Sequence, residues 1–276
     1  MTHSWVIRLW GLRRPRRLAS VLLRRLGISH LFTMRAHGIR LRFVPAVWTI
    51  TLWETPEMFA SDTELLRRWL RPGDVFVDCG ANVGLMTLVA SRAVGNDGAV
   101  YAIEAHPKIF GFLRSNIALN EATNVRPFHL AVGEKEGSVS FSDQAADDGN
   151  HVLPAGAGLA VGMKPLDSII PSGTAVRLLK VDVEGYEKLV VEGARRLLPT
   201  VEAIYFESSE DLFGRYGYTC GDMFDTLRSA GFAVFRLGQK ATIERVPHDY
   251  IARGIENLLA VREPADFVRH TGFRIV

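Results

Sequence analysis

Cysteine is nearly absent: Cys79 and Cys220 are the only two in 276 residues, and neither belongs to a C-x-x-C pair or a Cys/His cluster. Two isolated thiols leave no zinc ligand set and suit a reducing compartment. Long apolar runs are missing as well. No stretch reaches the roughly eighteen apolar residues that a transmembrane helix needs, so no membrane span is expected. Positive charge opens the chain as it would a signal peptide, yet Arg24 and Arg25 break the apolar stretch 18–26 before any cleavage pattern. The expected location is cytoplasmic. Negative charge is absent from the start: up to Trp53 there are ten Arg and no Asp, Glu or Lys. Subtracting these ten from the net charge of +3 leaves −7 on the remainder, so any attraction to anionic surfaces belongs to the first fifty-odd residues. Internal repeats and coiled-coil heptads are also lacking.

What is present suits a packed α/β protein. Apolar residues make up 47% and charged residues 23%, enough for a real core. The length allows one α/β domain with additions or two small domains. The division expected is a basic extension over residues 1–57 and a main domain over 58–276. In the extension, Trp5, Leu9, Leu12, Leu18, Val21, Leu22 and Leu26 alternate with arginines around Pro15, which predicts two short amphipathic basic helices. Packing of these leucines on the domain and contact with an anionic membrane surface both stay open; nucleic-acid binding is disfavoured. Residues 38–44 and 47–53 read as a β-hairpin, and 63–70 as a helix stopped by Pro72-Gly73.

The organising stretch follows. Val75, Phe76 and Val77 form an apolar strand that runs into Asp78-Cys79-Gly80-Ala81-Asn82-Val83-Gly84, after which Leu85, Leu88 and Val89 resume at helical spacing. A strand that stops at glycines and restarts as a helix leaves open N–H groups at a ligand-binding edge. Glu104 ends the next strand, 99–103, twenty positions after Gly84, where an acid accepts hydrogen bonds from ribose hydroxyls. Asn82 occupies the middle glycine position of a dinucleotide fingerprint, which weakens a pyrophosphate reading. Asp78 supports another, since a carboxylate at this corner can hold a cationic amino group.

Further strands are expected at 125–132, 138–141 after a hairpin at 134–137, 176–183, 201–206, 232–237 and 257–261. Helices are expected at 107–119, closed by Asn120 or Asn124, after Gly185, and at 223–230. Residues 144–162 read as a long loop of the kind that forms a lid or stays disordered, with 147–151 either a solvated turn or a border of the substrate site. Alternation of strands and helices implies a Rossmann-like α/β fold: a mostly parallel, seven-stranded sheet with helices on both faces. A strand extended through 176–183 places Lys180, Asp182 and Glu184 on one face at its carboxyl edge, and the next strand delivers Glu207 beside them. Glu187, at the start of the following helix, reads equally as a cap and as a functional acid.

Asp78-Cys79-Gly80-Ala81-Asn82-Val83-Gly84, Glu104-Ala105-His106-Pro107, Ala131-Val132-Gly133, Leu166-Asp167 and Lys180-Val181-Asp182-Val183-Glu184-Gly185-Tyr186-Glu187, in this order, resemble the FkbM family of S-adenosylmethionine-dependent methyltransferases. The likeness covers roughly residues 55–240. Cys79 stands where an aliphatic residue is usual and Ala105 where proline is common. The resemblance implies the class I methyltransferase fold with strand order 3-2-1-4-5-7-6. It also implies S-adenosylmethionine held by Asp78, Gly80, Asn82, Gly84, Glu104 and Ala131, and O-methylation of a sugar, glycan or secondary-metabolite hydroxyl.

A hydroxyl is a weak nucleophile at neutral pH and gains from a base or a metal. Asp182 and Glu207 are the candidate bases, supported by Lys180 and Glu184, with His106 as an outside candidate. Asp182, Glu184 and Glu207 could instead gather Mg²⁺, an oxygen-seeking ion, or simply pair with Lys180. No N-P-P-Y or D-P-P-Y element follows the fourth core strand, which disfavours methylation of a flipped base. An NAD(P)-dependent oxidoreductase and a non-catalytic adaptor with a membrane-surface extension remain as alternatives.

Overall fold

A computed structural model of the chain describes residues 22, 25–26, 31–44, 47–143, 150–154 and 156–276. Strands β1 (Thr33–Ala36) and β2 (Ile39–Arg42) pair antiparallel across His37-Gly38, whose φ angles of 48° and 84° form a primed turn. Such a turn matches the twist of a hairpin. The hairpin partner expected at 47–53 is corrected: these residues form helix α1 (Val47–Glu54). Thr49 and Leu52 bury on one helical side, and the Trp53 ring meets Phe43 edge-on at 5.7 Å. Burial at helical spacing overrides the β-branched character of the run. The basic helices expected before this point fall outside the described residues, apart from 22, 25 and 26.

Helix α2 (Ala60–Trp69) starts three residues before its expected position and buries Leu65, Leu66 and Trp69. Strand β3 (Val75–Cys79), helix α3 (Leu85–Val94), strand β4 (Ala99–Glu104), helix α4 (Pro107–Leu119) and strand β5 (Val125–His129) then alternate as the pattern predicts. Pro107 opens α4 at the position where its missing N–H costs nothing. Asn120 closes that helix.

The expected strand over 125–132 divides in two. The chain leaves the main sheet after His129, and β6 (Ala131–Val132) joins a second, four-stranded sheet with β7 (Gly137–Phe141), β8 (Val152–Leu153) and β9 (Leu159–Lys164) in the order β6-β9-β7-β8. β7 therefore pairs with β9 and not back onto β6, so the hairpin expected at 134–137 is absent. The stretch expected to be a loop to residue 162 supplies β8 and the first four of the six residues of β9, because Val161 and Met163 bury against Ala131 and Phe141.

Strand β10 (Leu178–Val181) is shorter than the expected 176–183, and helix α5 (Glu187–Glu192) follows a sharp turn. Strand β11 (Ala203–Ser208), helix α6 (Cys220–Ser229), strands β12 (Ala233–Leu237), β13 (Thr242–Arg245) and β14 (Glu256–Val261), helix α7 (Pro264–Thr271) and strand β15 (Arg274–Ile275) complete the chain. The main sheet runs β5-β4-β3-β10-β11-β14-β12-β13-β15. Its first seven strands, numbered by appearance, read 3-2-1-4-5-7-6. The sheet holds nine strands where seven were expected, because β13 folds back on β12 and β15 pairs with β13.

Each face of the sheet has its own apolar core. The hairpin, α1, α2, α3 and α7 cover the face of Phe76, Leu178 and Leu259. Helices α5 and α6 cover the face of Val77, Leu179, Ile204 and Phe206. β3, β10 and β11 are buried on both sides, as parallel strands must be. Among the described residues no helix is long and apolar enough to cross a membrane.

Candidate active site

Strand order reverses between β3 and β10, and such a switch point opens a crevice beyond the strand ends. The chain crosses it on three left-handed residues: Gly80 (φ 78°), Asn82 (φ 49°) and Gly84 (φ 95°). A Cβ added to Gly80 would lie 1.8 Å from the Asp182 carbonyl oxygen, so the loop is pressed against the end of β10 and tolerates no side chain there. Asn82 N–H donates to Glu104 Oε2 at 2.9 Å, and His106 N–H donates to Oε1 at 2.8 Å. Each carboxylate oxygen keeps a further lone pair for a ribose hydroxyl. Burial pushes Glu104 up to about 7 against the pull of those two N–H groups. Ala131 lines the same crevice.

Asp78 does hold an amino group, but it is that of Lys180. The carboxylate is fully buried, accepts from Thr87 Oγ1 at 2.6 Å and stands 3.3 Å from Lys180 Nζ. This corrects the expectation that Asp78 reaches a ligand: it lies behind the loop as part of its foundation. Lys180 also reaches the Gly80 carbonyl at 3.1 Å and Asp182 Oδ2 at 3.1 Å. Burial opposes the lysine's charge, and Asp182 and Asp78 outweigh it, so the ammonium is held firmly protonated.

The acidic edge differs from a simple extended strand. β10 ends at Val181, and Glu184 (φ 58°) and Gly185 (φ 102°) reverse the chain, so a turn and not the pleat brings Glu184 back. Glu187 ties that turn: its buried Oε1 accepts from Val183 N–H at 2.8 Å and Gly185 N–H at 3.3 Å, and burial pushes it up to about 8. One carboxylate oxygen each from Asp182, Glu184 and Glu207 lies within 4.8 Å of the other two. Such an all-oxygen set is chemically suited to a hard divalent cation. Asp182 is 36% exposed, whereas Glu207 Oε2 is buried without a hydrogen-bond partner. Burial, then the negative charges of Asp182, Glu184 and Glu187, push Glu207 up to about 10. That shift favours the neutral form of Glu207 and leaves Asp182 the more exposed of the two candidate bases.

The crevice widens into an open cleft of about 1050 Å³. Phe141, Asn150 and Val152 line it from the smaller sheet, so residue 150 of the expected solvated turn does border the cleft, while 147–149 lie outside the described residues. His106 also lines it; its Nε2 is 3.2 Å from Asp143 Oδ1, and its Nδ1 is buried without a partner.

The far wall holds three residues that sequence reasoning missed. Asp62 of α2 accepts from Tyr205 Oη and, at 3.3 Å, from Asn257 Nδ2. Tyr205 precedes Glu207 by two on β11, and Asn257 is Glu207's partner on β14. The period of two could have found Tyr205; Asp62 and Asn257 arrive only through the fold.

Fold and corner define a class, the Rossmann-like class I methyltransferases, whose crevice at this switch point takes S-adenosylmethionine. The chain belongs to the FkbM methyltransferase family: the family model described as Methyltransferase FkbM domain matches residues 78–234. The hexuronic acid methyltransferase AglP of Haloferax volcanii is 28% identical over 137 residues, 49% of this chain and 55% of that protein. A protein-L-isoaspartate O-methyltransferase of Caenorhabditis elegans is 26% identical over 104 residues, 38% of this chain and 46% of that protein. The chain thus spans about half the length of these curated relatives. Among solved structures, a methyltransferase FkbM from Methylobacillus flagellatus aligns at TM-score 0.43 and 16% identity, covering 77% of this chain and 52% of the other.

Proposed function

We propose that the protein transfers a methyl group from S-adenosylmethionine to a hydroxyl of a sugar, glycan or related metabolite. The observation that carries this reading is the juxtaposition of the glycine corner and Glu104 with the Lys180–Asp182 pair one strand away in a single cleft. Bound S-adenosylmethionine would supply an electrophilic methyl group for in-line attack by the acceptor oxygen, its sulfur leaving as a neutral thioether. Glu104 accepts from the ribose, and the backbone at Gly80, Asn82 and Gly84 lets the ligand approach closely. Asp182 takes the hydroxyl proton; Lys180, 3.1 Å away, pairs with it and orients it.

Mg²⁺ is the second reading of that edge, supported by the three converging carboxylates. It would bring Glu207 back to its ionised form and take over the neutralising part of Lys180. The oxidoreductase alternative is not favoured, since the chain belongs to a methyltransferase family and Asn82 fills the place of the middle fingerprint glycine. The test is thermal stabilisation by S-adenosylmethionine and S-adenosylhomocysteine against NAD, followed by labelled methyl transfer to a panel of hydroxylated glycans. Stabilisation by NAD alone would overturn the reading, and transfer confined to non-hydroxyl acceptors would overturn its acceptor half.

A further inference from the structure

The cleft has two ends of different chemistry. Adjacent strands stand about 4.8 Å apart, so Tyr205 on β11 lies about 14 Å across the sheet from Glu104 on β4, and Asn257 on β14 about 19 Å. With a ribose at Glu104, Gly80 just after β3 and Lys180 on β10 would lie between it and β11. The Asp62–Tyr205–Asn257 group therefore falls beyond the reacting centre, on the acceptor side. Both of its hydrogen bonds converge on Asp62 Oδ1. They fix the carboxylate plane of Asp62, which lines the cleft. Tyr205 is itself buried at 2% exposure, which makes this a braced group and not a pair of surface rotamers.

Charge narrows the acceptor further. Among the described residues lining the cleft, Lys180 is the only Lys or Arg, and it is already engaged by Asp78 and Asp182. Asp62, Asp182 and Glu184 line the same cleft. An acceptor carboxylate or phosphate entering here would meet like charge with no unengaged Lys or Arg among the described lining residues to receive it, an arrangement that excludes partners more strongly than it binds them.

Resting on the O-methyltransferase reading, we propose that the acceptor is an uncharged polyol of the neutral-sugar class, with Asp62 accepting from a hydroxyl neighbouring the one that reacts. Tyr205 and Asn257 are positioning residues acting through Asp62. The relative AglP is named for a hexuronic acid; this cleft is built against such an anion.

The test uses the full chain saturated with S-adenosylhomocysteine and compares methyl β-D-glucopyranoside with methyl β-D-glucuronide by saturation-transfer NMR and calorimetry. The glucoside is expected to bind at least about tenfold tighter than the glucuronide, an ordinary penalty for one unpaired like charge. Asp62→Asn is expected to weaken the glucoside by about tenfold and to close most of that gap, with S-adenosylhomocysteine affinity unchanged. Asn257→Ala, which leaves Asp62 in place but removes one brace, weakens the glucoside alone. Glucuronide binding as tight as glucoside in the unmodified protein overturns the proposal, as does no glucoside binding at all. Loss of S-adenosylhomocysteine affinity in Asp62→Asn also overturns it, assigning Asp62 to the donor's ammonium. Failure of the unmodified protein to bind S-adenosylhomocysteine sinks the methyltransferase reading instead.

Discussion

At the scale of single residues, the cleft separates three acids by environment. Asp182 is open to solvent and paired with Lys180, Glu207 is enclosed among other acids, and Glu104 is buried against two backbone N–H groups. Asp182→Asn is expected to lower turnover by about two to three orders of magnitude while changing the S-adenosylmethionine dissociation constant less than about threefold, as loss of a general base should. Rate assays paired with calorimetry check this, and parallel loss of both quantities would remove Asp182 as base. The pH dependence follows from the enclosed acids. Glu104, Glu187 and Glu207 all have folded values raised above the ordinary carboxylate value of 4.5, to about 7, 8 and 10. The folded state then holds more protons than the unfolded one above that value, so their stabilising contribution is full below about 4.5 and is lost as pH rises through 7 to 10. The melting temperature of the ligand-free protein is expected to fall from pH 5 to pH 9, and Glu207→Gln, a neutral isostere, to flatten the alkaline part of the fall. A melting temperature that rises over this range would refute the assignment. Chelation followed by Mg²⁺ addition separates the two readings of the acidic edge: unchanged activity is expected if Lys180 alone does the neutralising, and loss with recovery if Mg²⁺ does.

At the scale of elements, the β3–α3 turn and the β10–α5 turn are one device, since each is shaped by contact with the other. Gly80→Ala would drive a methyl group into the Asp182 carbonyl oxygen, so a cost of about 3 kcal/mol or more is expected in urea unfolding, within the range of severe backbone strain. Gly156→Ala is the control. Its φ of 89° is also left-handed but its Cβ would meet nothing within 4 Å, and a cost of about 1 kcal/mol is expected. Equal costs would show that conformation alone, and not the contact between turns, sets the value of Gly80. The sequence made the first turn legible, because glycine spacing and a switch from apolar strand to helical period are local signals. It misread the second. The period of two was extended past Val181, and nothing local announces that Glu187 will swing back to hold Val183 and Gly185 and force Glu184 into a left-handed turn. Val47–Glu54 failed for a related reason, since a β-branched run takes its state from what it packs against.

At the scale of the whole molecule, residues 31–44 cannot be separated from the sheet they cover: Met34, Ile39, Leu41 and Phe43 share one core with α2 and α3. A chain beginning at Met58 would expose that core, so the arginine-rich start is better tested by removing residues 1–30 alone. We propose that this segment contacts anionic membrane surfaces. Flotation with phosphatidylserine-containing liposomes at low salt is expected to fall after the deletion, and undiminished binding would end the proposal. By itself the sequence determined the fold class, the order of its alternating elements, the family and the donor-side corner, since period, punctuation and motif spacing are written along the chain. Tertiary structure decided which acids are buried, which are paired and what lines the rest of the cleft. Asp78 became a buried foundation, Glu207 an enclosed acid among other acids, and Asp62, Tyr205 and Asn257 a single braced group. Burial and charge coupling are properties of neighbours brought together from positions 62, 182, 207 and 257, and no local stretch of sequence carries them.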